Sequence, residues 1–201
     1  MPRPRSLTPE AIAAAALAVI DREGLGALSM RAVAAQLGMG TMSLYRYVSD
    51  REQVERLVVA HILSDVDTAV EGDWRERVAV LLTRVRAAVA AHPGAVPLTL
   101  VHRHTSAGIL GWAEAVLQAL TDAGFRGAQR VSAMRALLAY LIGAVHNEHL
   151  GPLSGEGTAR MAQLDDFPLT RETAADAAST EDEFGDGLRI VLDGLGSALR
   201  R

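Results

Sequence analysis

Apolar residues recur along this chain at spacings of three and four, and no stretch alternates with period two, so nearly every segment reads as a helix. The first predicted helix starts at Thr8 with Pro9 at its first position, aligns Ile12, Ala16, Val19 and Ile20, and ends near Gly24. Ser29 is a good N-cap for a second, with Val33, Ala34 and Leu37 inward and Gly38 able to turn left-handed at its end. A short third helix spans about Thr41 to Tyr47, with Leu44 and Val48 on its inner side. Asp50 and Gln53 form a capping box for a fourth, which Val54, Leu57, Val58, Ile62 and Val66 extend to about Glu71. Asp73 and Glu76 cap a helix over 74–91, stopped by His92-Pro93-Gly94. A short segment near 98–103 and helices over 109–122 and 128–150 follow. A loop over 151–169, mixing Gly, Ser, Pro and charges, precedes a short helix at 171–178 and a last one at 181–199. The expected fold class is all-α, with no internal repeat.

The segment LSMRAVAAQLGMGTMSLYRY, Leu28 to Tyr47, is the most informative. Two short helices joined through a glycine turn form a helix-turn-helix, whose second helix fits the major groove of DNA. Such turns also occur in proteins that never meet nucleic acid, so the outward residues decide. Here they are Thr41, Met42, Ser43, Tyr45, Arg46 and Tyr47. One helix cannot bury Tyr45, Arg46 and Tyr47 on a single inner face, and hydroxyl-bearing aromatics beside a cation suit phosphates and base edges. Thr41, Met42 and Arg46 are expected at base edges, Arg46 on a guanine and Met42 against a thymine methyl. Arg31, Ser43, Tyr45, Tyr47 and Arg51 are expected at phosphates. Arg3 and Arg5, in a Pro-containing arm, either follow a neighbouring groove or are simply solvated. Leu28, Val33, Leu37, Leu44 and Val48 read as core.

These residues carry a family resemblance. From Leu7 to Val54 the chain resembles the DNA-binding domain of the TetR family of bacterial transcriptional regulators, with its opening helix, the run GLGALSMRAVAAQLG, the pair LYRY and a charged turn before a long helix. GTMSLYRYV is similar to the branch close to the tetracycline repressor. LLAYLIGAVHNE and DEFGDGLRIVLDGL look like that branch's C-terminal domain. The resemblance implies a ligand-responsive repressor that binds a palindromic operator in double-stranded DNA as a homodimer and is released by a small-molecule effector. It implies a helix-turn-helix domain over 1–53, a connecting helix over 54–72 and a ligand-binding and dimerisation domain over 73–201. Met42 and Arg46 fall at positions that vary in the family, so no operator sequence carries over.

Composition adds to this picture. The net charge of −4 is awkward for a DNA-binding protein until the chain is divided. Residues 1–56 hold seven arginines against six carboxylates, a net +1, which leaves −5 for the remainder. An acidic body limits non-specific adhesion while local arginines supply phosphate contacts. All 20 basic residues are arginine, which we ascribe to genomic base composition. With no cysteine there is neither a disulfide nor a thiolate metal site. MPRPRSLTPE has cations but no apolar stretch behind them, and no run approaches the ~18 apolar residues of a membrane span, so a cytoplasmic protein is expected.

The helices at 128–150 and 181–199 are apolar around more than one face. The first has Val131, Met134, Leu137, Leu138, Leu141, Ile142 and Val145, and the second has Phe184, Leu188, Ile190, Val191, Leu192, Leu195 and Leu199. Either both are central helices of a monomer, or each covers a core with one side and a partner subunit with the other. The resemblance implies the second, a four-helix bundle between two copies.

His102-x-His104 and His146-x-x-His149 each bring two imidazoles near one another, but lack the HExxH arrangement and have only Glu148 close by. No metal and no cofactor is expected. A helical metal- or small-molecule-binding protein with hydrolytic activity is the rival from another class, yet no activated nucleophile or water stands beside an oriented base, so no catalytic residue is named. His102, His104, Trp112, Met134, Tyr140, His146 and Asn147 are the candidate effector contacts, being aromatic and polar groups on helices expected to surround one largely apolar pocket.

Overall fold

A computed structural model of the chain describes residues 7–102, 104–150, 155–177 and 182–199, without the side chains of 149 and 150. The arm bearing Arg3 and Arg5, the His149 side chain, the start of the loop expected from 151 and the stretch 178–181 lie outside the described residues. The described elements are α1 (Pro9–Glu23), α2 (Met30–Gln36), α3 (Thr41–Leu44), α4 (Arg51–Ile62), α5 (Trp74–Ala90), α6 (Val96–Val101), α7 (Ala107–Asp122), α8 (Gly127–Leu150), α9 (Glu156–Met161), α10 (Pro168–Ala177) and α11 (Glu183–Leu199). Single 3-10 turns stand at Leu25–Ala27 and Pro93–Ala95. The fold is all-α. Among the described residues no helix is long and apolar enough to cross a membrane.

Side-chain caps start the helices where the sequence places them. Thr8 Oγ1 accepts from Ala11 N at 3.2 Å, and Ser29 Oγ accepts from Ala32 N at 3.2 Å. Asp73 Oδ1 accepts from Arg75 N and Glu76 N, and Glu76 Oε2 accepts from Asp73 N at 3.1 Å, which completes the box at the start of α5. Each side chain satisfies an amide that the helix leaves without an internal partner.

The chain forms two compact units. One comprises Met1–Ala69 and Thr83–Ala115, the other Val70–Leu82 and Val116–Arg201. In the first, α1 packs on α2, α4 and the 93–95 turn, and α4 packs on α6. Ile12, Ala16, Val19, Ile20, Leu28, Val33, Leu44, Val48, Val54, Val58, Val59 and Ile62 form its buried centre. Leu37, expected in the core, is half-buried, while Met30 on α2 is buried. Close backbone approach is built in at Gly108, where an added Cβ would lie 3.2 Å from the Leu63 carbonyl oxygen.

In the second unit α8 packs on α11, and α9 on α10. The Trp74 and Phe125 rings meet edge-on at 5.5 Å, and Arg77 pairs with Asp122 at 2.7 Å. The Tyr140 hydroxyl donates to the Phe184 carbonyl at 2.7 Å, with the two rings 5.4 Å apart.

Two expectations need correction. The fourth helix does not reach Glu71, so residues 54–72 are not one connecting helix. α4 ends at Ile62, a turn covers 63–65, and 66–71 have no regular structure. Apolar spacing continued through Val66, but polar groups end the helix first. Ser64 Oγ donates to the His61 carbonyl, and Ala69 N donates to Asp67 Oδ1 at 2.9 Å. Arg84 Nη1 donates to the carbonyls of Asp67 and Ala69, both at 2.8 Å, so the extended backbone finds its partners in a side chain. The loop expected over 151–169 also contains a helix, α9, with no buried residue, and the first residues of α10.

Candidate nucleic-acid interface

The turn between α2 and α3 is fixed by hydrogen bonds to the end of α2. Gly38 N donates to the Ala35 carbonyl at 3.0 Å and Met39 N to the Ala34 carbonyl at 2.9 Å, with Gly38 at φ 67°. This is a Schellman closure, and the left-handed backbone it needs costs glycine least. The α-helical turn of α3 ends at Leu44, earlier than the expected Tyr47. Beyond it, Arg46 N donates to Ser43 O and Tyr47 N to Leu44 O in the tighter i to i+3 pattern, and Val48 N donates to Leu44 O one residue further on.

Leu44 (0% exposed) and Val48 (3%) anchor α3 in the core. On the opposite side Met42 is 80% exposed, Tyr45 46% and Tyr47 44%, and Arg46 is exposed. Met42, Tyr45 and Arg46, spaced three and four apart, share one outward face. A monomer gains nothing by keeping a methionine and two tyrosines in water on a helix this short, so the face is available for a partner. Thr41 and Ser43 are half-buried at its margin, and Arg31 is exposed on α2.

The chain enters α4 three residues after Val48. Asp50 Oδ1 accepts from Gln53 N at 2.7 Å, while Gln53 Oε1 accepts from Ser49 N at 2.7 Å, one residue further back than a simple capping box. Hydrogen bonds from the Ser49 hydroxyl and the Gln53 amide hold the Asp50 carboxyl below its usual range. Arg51 Nε donates to Glu55 Oε1 at 2.8 Å. Glu55 Oε2 lies 3.1 Å from His102 Nε2, and the His102 and Glu55 side chains are 5% and 14% exposed. Burial alone would raise the Glu55 carboxyl, but the hydrogen bonds from Arg51 and His102 outweigh it and hold it below the ordinary value. The pairing of Glu55 with a residue 47 positions away is invisible in sequence spacing.

The seven candidate effector contacts do not gather in one unit. His102, His104 and Trp112 belong to the first, and Met134, Tyr140, His146 and Asn147 to the second. His102 and Trp112 are buried, Met134 and Tyr140 half-buried, and His104, His146 and Asn147 exposed. Among the described residues no group of three or more His, Cys, Asp or Glu side chains is placed to hold a metal ion.

Exposed apolar side chains also mark the second unit. Ile190 on α11 is 72% exposed, and Val131 and Ile142 on α8 are exposed as well. Met161, Leu164, Phe167 and Leu169, around α9 and the start of α10, are exposed as well, a set that a loop reading of 151–169 passed over.

Residues 12–54 match the model of the family described as bacterial regulatory proteins, tetR family, and 68–199 match the tetracyclin repressor-like C-terminal domain. An HTH-type transcriptional regulator of Saccharopolyspora erythraea is 29% identical over 199 residues, covering 94% of this chain and 84% of the relative. The tetracycline repressor protein class A from transposon 1721 of Escherichia coli is 27% identical over 198 residues, covering 94% and 90%. The crystal structure of apo ActR from Streptomyces coelicolor superposes with a TM-score of 0.83 at 24% identity, covering 98% of each chain.

Proposed function

The chain belongs to the TetR family of bacterial regulatory proteins, and from that premise we propose that it is a cytoplasmic transcriptional repressor, binding a palindromic operator as a homodimer and released by a small-molecule effector. The observation that carries DNA recognition is the outward face of α3, where Met42, Tyr45 and Arg46 stand in solvent over buried Leu44 and Val48. Arg46, Met42 and Thr41 read base edges, and Arg31, Ser43, Tyr45, Tyr47 and Arg51 hold phosphates. The homodimer forms through α8 and α11, whose inner sides pack on each other and whose outer sides expose Val131, Ile142 and Ile190. A two-fold dimer suits a palindrome, because each half-site then takes one recognition helix. For the effector, Met134 and Tyr140 on α8, both half-buried, are the contacts we favour.

Selection from a random-sequence duplex pool tests the proposal. A palindromic site bound by a dimer is expected, with affinity falling steeply as salt rises, because each arginine on a phosphate displaces condensed counterion. Recovery of no site, or binding indifferent to salt, would overturn it.

A further inference from the structure

Glu55 follows Arg51 by one turn on α4, and each of its carboxylate oxygens accepts from a different element: Oε1 from Arg51 Nε, Oε2 from His102 Nε2. His102 is the C-cap of α6, so this contact ties the end of α6 to the first turns of α4 within one compact unit. A carboxylate held ionised can only accept, which places the hydrogen on Nε2 of the imidazole. Arg51 donates to Glu55 through Nε alone, and among the described residues its Nη groups donate to nothing. Those two groups are the fork that grips a phosphate.

We propose that His102 is a positioning residue for DNA binding, which through Glu55 sets the guanidinium of Arg51 for a backbone phosphate. It rests on the phosphate role proposed above for Arg51. An isolated Arg–Glu pair four apart on a helix surface is weak, because water competes for both partners and two long side chains must be ordered. Here the second hydrogen bond comes from a side chain shielded from water, so the rotamer of Glu55 is fixed from the far side. An arginine already held at Nε surrenders less rotamer freedom when it meets phosphate than one free on its stem.

The test measures full-length protein on the selected duplex across a salt series, with Arg51→Ala, His102→Ala, His102→Gln and the double variant of Arg51→Ala with His102→Ala. Arg51→Ala should lower the slope of log affinity against log salt by about 0.9, the loss of one phosphate contact. His102→Ala should weaken binding about fivefold and lower the slope in the same direction, and His102→Gln, which keeps an N–H donor, should restore most of the loss. In the Arg51→Ala background the His102 substitution should cost nothing further, as expected of residues acting through one another. A His102→Ala effect that persists at full size without Arg51 would overturn the relay while leaving the phosphate contact standing. A slope unchanged in Arg51→Ala would overturn the phosphate contact and the relay with it. Should His102→Ala not fold, Glu55→Gln asks the same question. It removes the charge that both donors share, and its effect must likewise vanish without Arg51.

Discussion

His92 Nδ1 lies 2.9 Å from Oδ2 of Asp21, so the residue before the 93–95 turn is tied to the last turn of α1. Two positions on, Gly94 sits so close to α1 that an added Cβ would meet Ile20 Cγ2 at 2.9 Å and the Ile20 carbonyl oxygen at 3.1 Å. Together with His102 and Glu55, these contacts attach both ends of the 92–102 segment to the N-terminal helices.

Gly94→Ala should therefore destabilise the protein by about 1–3 kcal/mol, since a buried backbone carbonyl cannot move aside as a flexible side-chain end does. Urea denaturation followed by circular dichroism measures it. A midpoint equal to that of the parent would show that the turn relaxes freely.

Arg46→Ala should relax preference at one base position of the operator, at a cost of about 1–3 kcal/mol on the preferred base. Tyr47→Phe should instead weaken binding about equally on every operator variant, because a phosphate contact carries no base information. Affinities on a panel of single-base variants separate the two, and identical changes in preference would refute the division of roles.

Glu55 makes stability sensitive to acid. Its folded-state pKa lies below the reference value of 4.5, so its contribution is fully present above that value and is lost as pH falls through the lowered folded-state pKa. Urea midpoints between pH 3 and pH 7 should fall less steeply at the acid end for Glu55→Gln than for the parent. Parallel acid limbs would show that the carboxylate gains nothing from its two partners.

At the proposed dimer interface, Ile190→Glu should give a folded monomer, since residue 190 is 72% exposed in the isolated chain. Leu188→Glu, at a position 2% exposed, should unfold it. Sedimentation velocity with circular dichroism distinguishes these outcomes, and a dimeric Ile190→Glu protein would move the interface away from this face of α11.

An effector, once identified, should bind less tightly to the operator complex than to free protein, by the same factor by which it weakens DNA binding. A coupling of 1–3 kcal/mol is typical of such linkage. Calorimetric titrations with and without operator would give equal affinities only if the molecule is no effector of DNA binding.

The sequence by itself determined the all-α class, the caps at Thr8, Ser29, Asp50 and Asp73, the turn at Gly38 and the exposure of Met42, Tyr45, Arg46 and Tyr47, though not the half-burial of Thr41 and Ser43. These are local properties, fixed by apolar spacing, one side chain reaching one or two nearby amides, and the backbone freedom of glycine. Only the tertiary structure decided where α4 ends. Val66 continued the apolar stripe, but Arg84, distant in sequence, supplies the donors that let the backbone at Asp67 and Ala69 leave the helix. It also decided that His102 faces Glu55 and that His92 faces Asp21. Partners separated by 47 and 71 positions are brought together only by the packing of α6 on α4 and of the 93–95 turn on α1, which no periodicity along the chain encodes.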